Sequence, residues 1–155
     1  MLHNMSIEND VKLHSCIASA KALYEKQGSL YCPYFELKVV LNSDGFNHLQ
    51  HKTNRQPRSV DEQIYKLTLL RKALKLIPKC GTVQEYRDTL EKIGKKGKDG
   101  FYKTKRVQYW GFITLLENNT DKIKIIMKRI GDGNIMFWSV MPMRSKLYQH
   151  GIGDD

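Results

Sequence analysis

The sequence is poor in the residues from which stapled or metal-held folds are built. Its 155 residues include three cysteines, Cys16, Cys32 and Cys80, an odd number with no CxxC pair. That argues against a disulfide framework and against a zinc site. All three are expected to be reduced and packed as small apolar groups. No apolar run approaches the ~18 residues that a membrane span needs, and the opening stretch MLHNMSIENDVK has no hydrophobic leader core. The expectation is a soluble, cytoplasmic protein without a membrane partner. The templates GxxxxGKS/T, GxSxG, HExxH and HRD are missing, as is a GxGxxG after a strand; the usual nucleotide-binding, serine-hydrolase, zincin and kinase signatures therefore do not apply. No cofactor is implied.

The chain has the length of one domain and can bury a core without cross-links. Hydrophobic residues make up 41 % of it and aromatics 10 %, with 26 Lys plus Arg against 16 Asp plus Glu, a formal charge of +10. Residues 1–30 are neutral, so all the excess charge lies beyond them. A pI near 9.5 points to a polyanionic partner, nucleic acid first.

Asn9 to Gln27 reads as a helix capped by Asn9 or Asp10 and ended by Gly28, an accessory element outside the main core. Tyr31 to Leu41 reads as one strand with Pro33 near its start, and Asn42 to Gly45 as a turn. Residues 45–58 are polar and basic. Ser59-x-x-Glu62 is a capping box that opens a helix running to Pro78. Thr82-x-x-Glu85 predicts a second, shorter helix to Gly94, followed by a basic loop over 95–106. Strands are expected at Val107–Leu116, Lys122–Ile130 and Ile135–Met141, the last two joined by a turn over Gly131–Asn134. The tail from Met143 is expected to fray. The fold class is α+β, with N-terminal helices packed on a small antiparallel sheet that ends in a β-meander. Its organisation is an accessory helix over 1–30, the main domain over 31–142 and a tail over 143–155.

Two groups of residues can carry chemistry. A two-residue hairpin loop sets Met127 opposite Trp138 and Ile126 opposite Ser139. That register sends Ile125, Met127, Trp138 and Val140 to the core, leaves Lys124, Lys128 and Ser139 on the open face, and sets Arg129 near the turn. A one-residue bulge would exchange the faces. The second group is His48, His51 and Lys52, which share one side if residues 46–52 form a helical turn, with Arg55 and Arg58 just after it. Two histidines with no carboxylate or cysteine beside them make a poor metal site.

One reading makes the histidines a polar connector that caps the next helix or faces water. The other makes them acid/base groups beside a phosphate. RNA carries its own nucleophile in the 2′-OH, so its cleavage needs a base, an acid and cations around the phosphorane. Histidine suits either proton role, and Arg129, Lys52, Arg55 or Arg58 could supply the fixed positive charge. Ser139 could position the substrate. Tyr102, Tyr109, Trp110 and Trp138 could stack bases, though strand aromatics are more often core.

Three segments, GFNHLQHKTNRQPRS (45–59), DEQIYKLTLLRKALKLI (61–77) with TVQEYR after it, and YWGFITLLE with KIKIIMKRIGDGNIMFWSVMP (109–142), together resemble the barnase–EndoU–colicin–RelE-like (BECR) nuclease superfamily, in its phage-associated toxin branch. The resemblance spans about residues 30–142. It implies a helical part before a four-stranded antiparallel sheet and a metal-independent endoribonuclease of toxin type. Its target would be RNA, including tRNA or ribosome-associated mRNA, and an acidic antitoxin or immunity protein is an implied partner. Carried over by position, His48, His51, Lys52, Arg129 and Ser139 are the catalytic candidates. The phosphate-gripping candidates are Arg55, Arg58, Lys95, Lys96, Lys98, Lys103, Lys105, Arg106, Lys124 and Lys128. No acidic general base like that of barnase is present, which favours a histidine or lysine route. A silent nucleic-acid-binding module of the same fold, or a toxin–antitoxin interaction domain, is the alternative.

Overall fold

A computed structural model describes residues 2–118 and 120–143. The tail expected beyond Met143 lies outside the described residues. Three helices and a six-stranded, mostly antiparallel sheet make an α+β fold. The elements are α1 (Leu2–Gln27), β1 (Ser29–Cys32), β2 (Leu37–Val40), α2 (Ser43–Gln50), α3 (Val60–Leu76), β3 (Glu85–Ile93), β4 (Lys103–Leu115), β5 (Lys122–Ile130) and β6 (Met136–Pro142). Across the sheet the order is β1-β2-β6-β5-β4-β3, antiparallel throughout except for β2 beside β6. The last four strands form a continuous meander.

Helix α3 follows its sequence signals closely. The Ser59 hydroxyl accepts from the Glu62 N–H at 3.2 Å, and Leu67, Leu70, Ala73 and Leu74 are buried at helical spacing. Pro78 ends the α-helix, and Ile77–Lys79 closes it as a 3-10 turn. Helix α1 starts at Leu2 rather than at the expected Asn9 cap. Its C-terminal part enters the main core through Ala20 and Tyr24, while Met5, Ile7 and Val11 are exposed.

Four local expectations are corrected. The single strand over 31–41 is a hairpin: Pro33 has no N–H to give a ladder, and Glu36 turns the chain with φ 55°, donating back to the Cys32 carbonyl at 3.0 Å. The supposed turn at 42–45 is the start of α2, with Asn42 as its N-cap. The predicted helix after Thr82 is strand β3. Nine residue pairs from Glu85↔Gly111 to Ile93↔Lys103 zip it onto β4, and this ladder outweighs a local capping signal. The basic loop is correspondingly shorter, because β4 already begins at Lys103.

The fourth correction concerns register. Ile126 does face Ser139, as expected, but the pairing shifts between Ile126 and Met127, so Met127 faces Phe137 and not Trp138. Phe137, fully buried, takes the core position assigned to Trp138. The main core then gathers Trp110, Phe112, Ile123, Ile125, Met127, Phe137 and Val140 from the sheet and the apolar sides of the three helices. On the other face a smaller cluster forms from Val107, Tyr109, Ile126 and Met141, with Ile93, Ile130 and Trp138 against it. The bulge delivers Trp138 to this second face.

Candidate functional site

The site begins with the seating of α2. Asn42 Oδ1 accepts from the Gly45 N–H at 3.1 Å, and Tyr24 Oη donates to the Asn42 carbonyl at 2.6 Å. A Cβ on Gly45 would come within 2.2 Å of the Phe137 carbonyl oxygen, so only glycine lets α2 lie this close to β6. One turn later, His48 stacks on Trp138 with ring centroids 4.2 Å apart and planes 15° apart. His48 is 5 % exposed. The Arg58 Nε donates to its carbonyl at 3.2 Å.

Beyond α2 the chain makes a closed loop. The Lys52 N–H donates to the Gln56 carbonyl and the Arg55 N–H to the Lys52 carbonyl, each at 2.8 Å; Arg55 sits at φ 68°. His51 and Pro57 bridge its neck, and the Arg58 N–H closes it on Gln50 at 2.9 Å. His51 Nδ1 lies 3.3 Å from the Asn47 carbonyl. A carbonyl can only accept, so this contact places the proton on Nδ1 and leaves Nε2 as the basic atom of the neutral ring.

Facing this loop across a cleft of about 850 Å³ are Glu91, Lys92, Tyr109, Lys128 and Trp138; Asp44, His48, His51, Lys52 and Arg55 line the helical side. The Lys128 Nζ stands 3.7 Å from the centre of the Trp138 ring and 5.4 Å from that of Tyr109, within cation–π range of both. Burial pulls the Lys128 ammonium below the usual lysine range, with Glu91 and Asp44 acting in the opposite direction. The Tyr109 hydroxyl donates to Glu91 at 2.9 Å.

Of the catalytic candidates, His48, His51 and Lys52 come together here. Arg129 does not: its Nε donates to the Gly133 carbonyl at 3.0 Å and ties off the hairpin. Ser139 is fully buried in β6. Among the phosphate-gripping candidates, Arg55 and Lys128 line the cleft. Arg58 is buried and ion-pairs with Glu62 at 3.0 Å. Lys124 is buried in a 2.7 Å ion pair with Glu85. Arg106 grips Asp88 at 2.6 Å and holds that carboxyl below its usual range. Lys95, Lys98 and Lys103 line a separate hollow of about 420 Å³ with Phe101 and Tyr102. Lys96 and Lys105 are exposed on the surface, Lys105 beside Gly131.

Sequence reasoning missed Glu91 and Lys92 because they lie on the strand that was read as a helix. It favoured a core position for Trp138 because the bulge is invisible in the pattern. Another hollow, of about 580 Å³, is lined by Arg71, Lys72, Lys75 and Lys79 around Leu76 and Leu116, with no histidine among its lining residues. Burial raises the thiols of Cys32 and Cys80, the latter to about 12, which keeps both protonated and unsuited to nucleophilic work. Among the described residues no three His, Cys, Asp or Glu side chains are grouped to hold a metal ion. Among the same residues, no helix is long and apolar enough to cross a membrane. Compared with known proteins, the chain matches no family model, no curated protein and no solved structure.

Proposed function

We propose that this protein is a metal-independent endoribonuclease of toxin type, of the BECR superfamily, that cleaves RNA through attack of the 2′-OH. The observation that carries the reading is the single cleft in which a histidine pair, four cations and two aromatic rings meet. The helical segment before a four-stranded antiparallel meander also fits the resemblance. In the reaction His51 Nε2 takes the 2′-OH proton, the 2′-oxygen bonds to phosphorus, and the 5′-oxygen leaves with a proton. That proton comes from the Lys128 ammonium, which burial makes a stronger acid. Lys52 and Arg55 balance the charge that builds on the phosphorane. His48, stacked and buried, fixes the Trp138 ring as a wall of the site. Lys128, and not Arg129, is thus the sheet-side cation of the site, acting as proton donor where Arg129 was expected to supply fixed charge. In this reading the protein works in the cytoplasm on tRNA or ribosome-associated mRNA, held silent by an acidic antitoxin or immunity protein.

Purified protein incubated with total RNA in excess EDTA should yield fragments with 2′,3′-cyclic phosphate ends. H51A and K128A should each slow that cleavage by about 10²–10⁴-fold. Wild-type rates in both variants would sink the mechanism. RNA binding without any scission would leave the silent binding module as the answer.

A further inference from the structure

The loop between β3 and β4 presents large rings to water. Phe101 is 74 % exposed and Tyr102 43 %. Phe101 is not swinging on a slack tether. The Gly97 N–H donates to the Phe101 carbonyl at 2.8 Å, the Gly100 N–H to the Gly97 carbonyl at 3.0 Å, and the Phe101 N–H to Asp99 Oδ1 at 3.1 Å. Gly100 takes φ 85° to close this turn. The loop therefore holds an apolar ring out against the hydrophobic effect, which disfavours such exposure. Around the two rings stand Lys95, Lys98 and Lys103.

The hollow is separate from the cleft but neighbours it along the chain. Lys92 lines the cleft and also sets its Nζ 5.3 Å from the centre of the Tyr102 ring. Ile93 and Gly94, on the cleft wall, lead directly into Lys95. Two groups of rings and lysines thus stand on either side of β3: Tyr102 and Phe101 with Lys92, Lys95, Lys98 and Lys103, and Tyr109 and Trp138 with Lys128 on the face that Glu91 shares. Such pairing of rings with lysines suits a nucleic-acid strand whose bases are unpaired, because stacking needs an open base face and the lysines track phosphates. A duplex keeps its base faces covered and has nothing to offer Phe101.

From this we infer that the Phe101–Tyr102 loop is a stacking platform that binds single-stranded RNA on one side of the scissile phosphate, so that the substrate is an unpaired segment and not a helix. This rests on the endoribonuclease reading for what the cleft does, but the platform is testable without cleavage. The probes are a fluorescent 2′-O-methyl oligoadenylate of about 12 nucleotides, which lacks the nucleophile, and the duplex it forms with its complement. Anisotropy titration should show the single strand bound at least about tenfold more tightly than the duplex. F101A should weaken the single strand by about five- to tenfold, the F101A/Y102A pair by more, and F101W should restore it. The salt dependence of F101A should equal that of wild type, because no charge is removed.

Equal affinity of wild type and F101A/Y102A, equal binding of the duplex, or displacement of the strand by polyglutamate in a Phe101-dependent way would each overturn the platform. The last of these would assign the loop to an acidic protein. If wild type cleaves RNA while F101A/Y102A binds normally, the platform falls and the endoribonuclease stands. If wild type cleaves nothing but binds single strands through Phe101, the platform stands and the catalytic reading falls.

Discussion

In Lys128 charge and burial oppose each other. Its ammonium sits against Trp138 and Tyr109, and burial lowers its pKa from the ordinary value of 10.5. The unfolded chain therefore holds this proton more tightly than the folded one. Where both states are protonated the folded state bears the full penalty; it shrinks as pH rises from the folded value towards 10.5. Methionine has similar length, contacts rings well and carries no charge. K128M is therefore expected to raise the urea midpoint at pH 7, and its advantage over wild type should narrow in alkali, while RNA cleavage is lost. A lower midpoint at pH 7 would make Lys128 a structural cation instead of a functional one.

Among the elements, α2 and β3 decide the shape of the site. In G45A the added methyl meets a backbone carbonyl, which cannot swing aside, so α2 must retreat from β6. The expected cost is about 1–3 kcal/mol in urea denaturation, with the indole emission of Trp138 altered as the His48 ring withdraws. Strand β3 is pinned across β4 by Glu85 and the buried Lys124. Removing the carboxylate in E85A strands that ammonium. Glu85 is about a third exposed, so the loss should fall below the 3–5 kcal/mol of fully buried pairs, at roughly 2 kcal/mol. The double variant E85L/K124M should recover most of it. These two elements were also the ones least legible in the chain. Thr82-x-x-Glu85 carries a helix-start signal, and only the nine-residue ladder with Lys103–Leu115 overrides it. Asn42-Ser43-Asp44-Gly45 has turn composition, yet the same Asn42 that suits a turn also caps a helix.

For the molecule as a whole, the +10 charge is sorted by the fold into separate groups. Lys52, Arg55, Lys92 and Lys128 line the cleft, while Lys95, Lys98 and Lys103 line the separate hollow beside Phe101. If most of these touch phosphates, the affinity for single-stranded RNA should fall with salt at a log–log slope of about −3 to −5. Anisotropy titration across a sodium chloride series measures this. Neutralising Arg71 and Lys75, on the hollow against α3, should leave the slope unchanged; a smaller slope would move the RNA to that side. The same sorting removes Arg58, Arg106 and Lys124 from the RNA-facing set, because each already has a carboxylate partner.

By itself the sequence determined the α+β class, the long helix after Ser59, the bounds of Lys122–Ile130 and the association of His48, His51 and Lys52. These follow from short-range periodicity and capping, in which each residue reads only near neighbours. Tertiary structure decided that residues 85–93 are a strand, that one bulge exchanges Phe137 and Trp138 between faces, and that Lys128 meets the histidine loop while Arg129 and Ser139 do not. Those outcomes depend on pairing between distant segments, where a one-residue shift turns every later side chain to the opposite face.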